Sequence, residues 1–319
     1  MMGKRLGVAA VFVLALASRP ACVGGAEPAG GEFPRELVDF VPYEGNPVFA
    51  GTGRDTWDRK IRERGYILRE GDTYHLWYTG YRGDYADEKH LGYATSPDGL
   101  HWTRHPANPI YSRGWVEDVQ VVRHGGTYFM FAEGRDDIAH WLTSTDRVHW
   151  EEQGNLDIRC ADGKPLSPGP YGTPTVWVEG PTWHLFYERR DEGIWLAKST
   201  DRKVWTNVRD QPVLARGPES YDRRAVALNQ VVKVGGRYYG YYHATSLEEP
   251  HNWTTCVAMS TDLVHWKKYP RNPIVTGDKS SGILVHDGRQ YRLYTMHPDV
   301  RVYFPKRPST RPAAGAKAE

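Results

Sequence analysis

The hydrophobic positions of this chain fall in short runs of alternating character rather than in the three-and-four spacing of helices. Gly65-Tyr66-Ile67-Leu68 is followed by Tyr74-His75-Leu76-Trp77-Tyr78, and Val119-Gln120-Val121-Val122 by Tyr128-Phe129-Met130-Phe131. Pro174-Thr175-Val176-Trp177 precedes Trp183-His184-Leu185-Phe186-Tyr187, Asn229-Gln230-Val231-Val232 precedes Tyr238-Tyr239-Gly240-Tyr241-Tyr242, and Gly282-Ile283-Leu284-Val285 precedes Tyr291-Arg292-Leu293-Tyr294. Runs rich in Val, Ile, Tyr and Trp, joined by Gly71-Asp72, Gly125-Gly126, Gly235-Gly236 and Asp287-Gly288, predict β-hairpins.

After four of these hairpins comes the same pattern, S-x-D-x-x-x-W, at Ser96 to Trp102, Ser144 to Trp150, Ser199 to Trp205 and Ser260 to Trp266. Each copy leads to a short apolar strand start: Asn108-Pro109-Ile110, Asn155-Leu156, Gln211-Pro212-Val213 and Asn272-Pro273-Ile274. The unit therefore has four strands and repeats at roughly 52 to 56 residues, the signature of radial stacking. The fold expected is an all-β, five-bladed β-propeller with four antiparallel strands per blade, its blades starting near 65, 118, 174, 229 and 281. The fifth unit lacks the S-x-D-x-x-x-W copy, and Asn46-Pro47-Val48-Phe49 carries an unclaimed outer-strand signature. Residues 46 to 49 are expected to complete blade five and close the ring, leaving no free edge. The repeated Ser, Asp and Trp read as scaffold: Asp can bond amides of its own turn, and Trp can pack between sheets.

Composition adjusts this picture modestly. The 319 residues suffice for one domain, the propeller over residues 27–306. Lys4-Arg5, the apolar stretch from Leu6 to Ala17 and the small residues at Gly24-Gly25-Ala26 have the three parts of a secretory signal over residues 1–26, so a secreted or periplasmic location is expected. Removing that piece takes away three cations and no acid, bringing the formal charge from +2 to about −1. A near-neutral protein is not expected to bind nucleic acid, no other stretch is long enough to span a membrane, and a monomer is expected. Cys22 would leave with the signal. Cys160 and Cys256 do not by themselves define a disulfide framework. Residues 307–319, with Pro308 and Pro312, lack apolar periodicity and read as a disordered tail.

In a propeller the residues entering the innermost strands form the mouth of a central channel, so acids there are the candidates for chemistry. Asp58, in Trp57-Asp58-Arg59-Lys60-Ile61-Arg62-Glu63-Arg64, precedes blade one, or belongs to a charged surface loop. Glu117 and Asp118 stand at the entry of blade two. Asp118 is favoured, since a carboxylate beside buried strand residues needs a partner or a function. The ends of the second strands bring Thr79, Glu133, Glu188, His243 and the Met296/His297 pair to one level, a polar ring. Glu133 with Arg135 reads either as an ion pair or as substrate-binding. Arg189 beside Glu188 would keep that acid ionised, whereas its apolar flanks favour a proton donor. Asp222 and Arg224 ahead of blade four complete the substrate-binding candidates with His243 and His297, although His243 can equally be a satisfied core histidine. The chain has no H-E-x-x-H, G-x-S-x-G, P-loop, C-x-x-C or complete G-x-G-x-x-G, which withdraws support from metal, serine and nucleotide chemistry. No cofactor or metal is expected. A carboxylate-rich mouth with 12 Trp and 20 Tyr suits carbohydrate.

Leu76-Trp77-Tyr78-Thr79-Gly80, Gly92-Tyr93-Ala94-Thr95-Ser96-Pro97-Asp98-Gly99-Leu100-His101-Trp102 and Glu117-Asp118-Val119 resemble the blade motifs of the five-bladed propeller glycoside hydrolases, the group containing families 43, 32, 62, 68, 117 and 130. The resemblance covers nearly the whole of residues 27–306. In families 43 and 32 it implies an Asp entering blade one, an Asp entering blade two and a Glu from blade three. Asp118 fits the second place and Asp58 the first approximately. Thr173-Pro174 stands where the family Glu belongs, so Glu188 is a substitute from the next strand. The resemblance implies a glycosidase with Asp58 as base, Glu188 as acid and Asp118 as modulator, inverting if base and acid lie about 6.5 to 9.5 Å apart. A non-catalytic sugar-binding propeller and a phosphorylase using Arg135, Arg224 and His243 are the rivals. A calcium ion in the channel is implied by resemblance only, with no ligand set legible.

Overall fold

The computed structural model describes residues 31–307 apart from 85, 167, 168 and the side chain of residue 63. The expected signal segment, Cys22 and the tail from 308 onward lie outside the described residues. Five antiparallel sheets follow one another around a ring. Blade one is built from Lys60–Glu70, Thr73–Tyr81, His90–Ser96 and Thr103–Arg104, and blade two from Glu117–His124, Thr127–Glu133, Ala139–Ser144 and Glu151–Asn155. Blade three comprises Gly172–Glu179, Thr182–Glu188, Gly193–Ser199 and Val204–Asn207. Two further pieces join it, Asp157–Arg159 running parallel to its outer strand and Leu214–Ala215 beside its third. Blade four is Ala225–Val234, Arg237–Thr245, Thr254–Ser260 and Trp266–Lys268. Blade five takes Ile283–His286, Tyr291–Thr295 and Arg301–Pro305 from the end of the chain and Phe40–Pro42 from its beginning.

The second strand of each blade lies between two neighbouring blades, so both of its faces are covered. Residues 74–80 and 183–188 are buried without interruption, which is why those runs are largely apolar and aromatic rather than strictly alternating. The repeated motif ties the outer edge. Ser96 Oγ accepts the amides of Asp98 and Gly99 at 3.3 and 2.8 Å, and Asp98 Oδ1 those of Leu100 and His101 at 2.8 and 2.9 Å. The copies at Ser144, Ser199 and Ser260 repeat this pattern. The closing Trp then reaches back to the preceding blade: Trp150 meets Trp77 edge-on at 6.3 Å, Trp205 meets Phe131 at 5.9 Å and Trp266 meets Phe186 at 6.0 Å. Turn and ring together make the motif a joint between blades.

Ring closure uses a longer segment than residues 46 to 49. The regular ladder is Phe40–Pro42 on Tyr303–Pro305, and 46–49 follows with a bridge from Phe49 to Val300. Asn46 clasps Val302 with its side chain, accepting from the amide at 2.8 Å and donating to the carbonyl at 2.8 Å. Asn108 clasps Tyr93 and Asn272 clasps Val257 in the same two-bond manner. The stretch 40–49 is thus an ordinary outer-strand unit in which Phe40 stands at the place of the motif Trp.

Candidate active site at the channel mouth

Each of the first four inner strands carries a bulge at its mouth end, between Arg62 and Tyr66, Glu117 and Gln120, Gly172 and Thr175, and Leu228 and Gln230. One extra residue in blades two to four, and two in blade one, disrupt the ladder there and re-aim side chains. In blades two and three the bulge places Asp118 and Thr173 at φ 48° and 44°, a conformation that costs a residue with a Cβ about 1–3 kcal/mol and concentrates at functional sites. Asp118 turns into the mouth, where its Oδ1 accepts the Arg64 amide at 3.0 Å. Glu117 is held separately, ion-paired with Arg62 Nε at 3.0 Å and accepting from the indole of Trp115 at 3.0 Å.

Arg64 fills the centre of the ring. Its fully buried guanidinium donates to Thr175 Oγ1 at 2.5 Å, to the Pro174 carbonyl at 2.7 Å, to that of Leu228 at 2.8 Å and to that of Asp118. One side chain from blade one thereby gathers blades two, three and four. Burial lowers its pKa to about 10, against the raising effect of Asp118, so it stays cationic at neutral pH. Because this cation and the carbonyls that bind it occupy the axis, the residues present do not fit a calcium ion there. Among the described residues no group of three His, Cys, Asp or Glu side chains is arranged to hold a metal.

Above Arg64 is a cavity of about 180 Å³ walled by Arg62, Asp118, Glu133, Asp137, Thr173 and Glu188, with Arg190, Asp191, His243 and Trp253 at its margin. Glu133 and Glu188 come from the second strands of blades two and three and converge over the inner strand of blade three. Glu133 Oε2 accepts the Thr173 amide at 2.7 Å, while Glu188 accepts the amides of Gly172 at 3.1 Å and Asp191 at 2.7 Å. Gly172 makes the convergence possible, since a Cβ there would lie 2.0 Å from Glu133 Oε2 and 2.9 Å from Glu188 Oε1. The absence of an acid at the entry of blade three is therefore part of the site.

Burial and the charges of Asp118, Glu117, Asp137 and Glu188 push the Glu133 carboxyl well above its ordinary range. Glu188, 6% exposed, rises to about 7, chiefly through burial and despite its two amide donors. His243 is driven down to about 4 by burial and is neutral at physiological pH; Asn229 Nδ2 donates to its Nδ1 at 2.8 Å and Trp253 packs edge-on at 5.1 Å. The site combines a carboxyl raised well above its ordinary range, one poised near neutrality and a third, Asp118, bonded to backbone. That set suits proton delivery to an oxygen leaving group.

Of the residues expected at the mouth, Asp118, Glu133, Glu188 and His243 are brought together. Asp58 is not: it is 3% exposed, paired to Arg104 at 2.9 Å and bonded by Tyr78 at 3.2 Å and Thr56 at 2.9 Å, and it does not line the cavity. Asp58 precedes the Lys60–Tyr81 pairing and packs beside Gly80, so it locks the first blade to Arg104 on its outer strand. Asp222 is likewise corrected, being fully buried on Lys268 Nζ at 2.5 Å. Arg135 does not pair with Glu133 but lies 4.7 Å over the Trp115 ring, and Arg189 lies 5.8 Å over Trp195. Exposed Arg224 offsets the charge of Asp191 at the rim, and His297 faces Asp278 at 3.6 Å. Thr79 is buried on the Val116 carbonyl at 3.2 Å. Cys160 and Cys256 are both free thiols. The sequence reading missed Arg62, Arg64, Asp137 and Asp191. The two aspartates follow Glu133 and Glu188 in turns with φ of 54° and 59°, and the paired G-R-D-D and R-R-D-E segments were the available signal.

No protein-family model matches the chain. It is 26% identical over 227 residues to a 1,2-β-oligomannan phosphorylase of Thermoanaerobacter sp., covering 65% of this chain and 72% of that enzyme. Over 161 residues it is 27% identical to the sucrose-6-phosphate hydrolase of Escherichia coli, covering 42% of this chain and 32% of the relative. Among solved structures, a glycosyl hydrolase from Bacteroides ovatus superposes with a TM-score of 0.67 at 16% identity, over 85% of this chain and 95% of the other. The β-1,2-mannobiose phosphorylase of Listeria innocua does so at 0.65 and 15%, over 83% and 95%. At these identities the likeness is one of fold: the chain has the five-bladed propeller found in glycoside hydrolases and phosphorylases.

Proposed function

We propose that this protein is a secreted glycoside hydrolase that cleaves poly- or oligosaccharide fragments at the channel mouth, with Glu188 as proton donor and Asp118 as the carboxylate that activates water. The observation that carries this reading is the meeting of Glu133 and Glu188 around Gly172 beside Asp118, with Glu188 at about 7. Glu188 gives its proton to the glycosidic oxygen as the bond to the anomeric carbon breaks. Water adds to that carbon and yields its proton to Asp118. Glu133, fixed by the Thr173 amide, walls the other side of Gly172. A water held by Asp118 on the face of the sugar ring opposite Glu188 attacks in line and gives inversion at the anomeric carbon. Export rests on the Lys4-Arg5 and Leu6–Ala17 pattern, and mass spectrometry of the mature N-terminus from an exporting host tests it.

The test is turnover of a glycan panel that includes β-1,2-mannosides, with Glu188→Gln and Asp118→Asn alongside and proton NMR of the first-formed anomer. Loss of activity by about 10²–10⁴ in Glu188→Gln with folding retained is expected. Binding without turnover by the wild type ends the catalytic reading in favour of a sugar-binding propeller.

Phosphorolysis is the second reading, favoured by the similarity to an oligomannan phosphorylase. Against it, the mouth presents five acids, Asp118, Glu133, Asp137, Glu188 and Asp191, to the cations Arg62 and Arg190 and a neutral His243. Phosphate-dependent release of a sugar phosphate decides the matter.

A further inference from the structure

The mouth, at about 180 Å³, falls below the range of about 300–1,000 Å³ usual for small-molecule sites, so it holds only the reacting end of a longer glycan. A second cavity of about 700 Å³ lies between blades one and two. The two share a wall. In the turn after the second strand of blade two, Glu133 and Asp137 face the mouth, while Gly134, Arg135 and Asp136 line the larger cavity. Trp115, just upstream of Asp118, lines the larger cavity too.

We propose that this larger cavity is an extended subsite for the remote units of a neutral oligosaccharide whose reacting end lies in the mouth; the assignment rests on the glycosidase reading and deepens it. Its floor is fixed before any ligand arrives, with His140 Nδ1 hydrogen-bonded to Glu152 at 2.8 Å and Tyr111 donating to the same carboxylate at 3.3 Å. Its exposed ionic groups are of both signs: Arg113 and Arg135 stand among Glu88, Asp136 and Glu152, the last hydrogen-bonded by His140. A cavity with three carboxylates and two guanidinium groups offers donors and acceptors to hydroxyls and no excess of cations for uronate or sulfate, so the occupant is an uncharged sugar chain. Arg135, held over the Trp115 ring, presents its guanidinium edge at the crossing point.

Ser112 and Asn155 are exposed residues of this cavity, and a Trp at either one fills it without touching the mouth. The experiment measures affinities of neutral disaccharides and hexasaccharides from the β-mannan, xylan, arabinan, β-glucan and fructan series by calorimetry on Glu188→Gln, with Ser112→Trp and Asn155→Trp added separately. The hexasaccharide of the recognised series is expected to bind about tenfold tighter than the disaccharide. Each Trp variant is expected to remove that advantage while leaving disaccharide affinity and wild-type disaccharide turnover unchanged. Equal affinity for the two lengths, no binding of any series, or a length preference that survives both Trp variants overturns the proposal. Length-dependent binding with no turnover by the wild type sinks the glycosidase reading alone, and turnover without length dependence sinks the subsite alone.

Discussion

Replacing Glu188 by Gln separates the chemistry of the mouth from its architecture, because the side chain keeps its shape and loses its titration. In the folded protein this carboxyl titrates near 7 rather than at the ordinary 4.5. At roughly 1.4 kcal/mol per pH unit the difference amounts to about 3 kcal/mol. Between those two pH values the native state holds a proton that the unfolded chain has released, so the contribution is complete below about 4.5 and is lost as pH rises through 7. Glu188→Gln therefore flattens the stability curve. Relative to wild type, the variant gains up to about 3 kcal/mol on going from pH 4.5 to 8, beside a pH-independent cost, because one of the two backbone amides that meet separate Glu188 oxygens then faces the Gln NH2. Urea melts at pH 4.5, 6 and 8 measure this. The wild-type rate should fall above about pH 7 on loss of one proton, and that limb should persist in Glu133→Gln. Parallel stability curves for wild type and Glu188→Gln, or a rate flat from pH 6 to 8.5, would refute the assignment of Glu188 as a neutral-range acid.

Three further outcomes follow from the same geometry. Gly172→Ala drives a methyl into the two carboxylates and should cost about 10² in kcat/KM with a near-native circular dichroism spectrum; unaltered kinetics would show that the convergence is dispensable. Asp58→Asn, breaking a pair whose Arg104 is about one-third exposed, should lower stability by about 1–2 kcal/mol yet leave kcat within about threefold, and a loss of orders of magnitude would return Asp58 to the site. Arg64→Met strands carbonyls from blades two to four and should cost about 3–5 kcal/mol, read as a drop of about 10 °C or more in Tm.

The blade count was legible because S-x-D-x-x-x-W is a joint whose three residues are each needed by geometry. Where Phe40 replaces the Trp, the joint lost its label, and the ladder at Phe40–Pro42 escaped notice although Asn46 further along was visible. Asp118, Glu133, Glu188 and His243 could be placed because strand ends at equivalent blade positions share a level. Asp58 could not, since a charged stretch does not say where the chain turns inward. Arg64 was hidden for a related reason: a cation before an apolar strand looks solvated, and only the ring of carbonyls from other blades gives it a buried home. The bulges at Asp118 and Thr173 have no local sequence mark, and it is they that set which neighbour of each pair faces the mouth.

The clasp between Asn46 and Val302 joins residues 256 positions apart. Bringing such ends together costs about 5 kcal/mol of chain entropy, which the other four sheets must supply by shaping the ring first. On the ribosome, the strand at 40–42 is among the first described residues to emerge and its partner at 301–305 among the last. Until that partner is made, the earliest strand has nothing to pair with. Closure therefore waits for residues 301–305, and a chain stopped between blade four and that strand has four blades and an open ring.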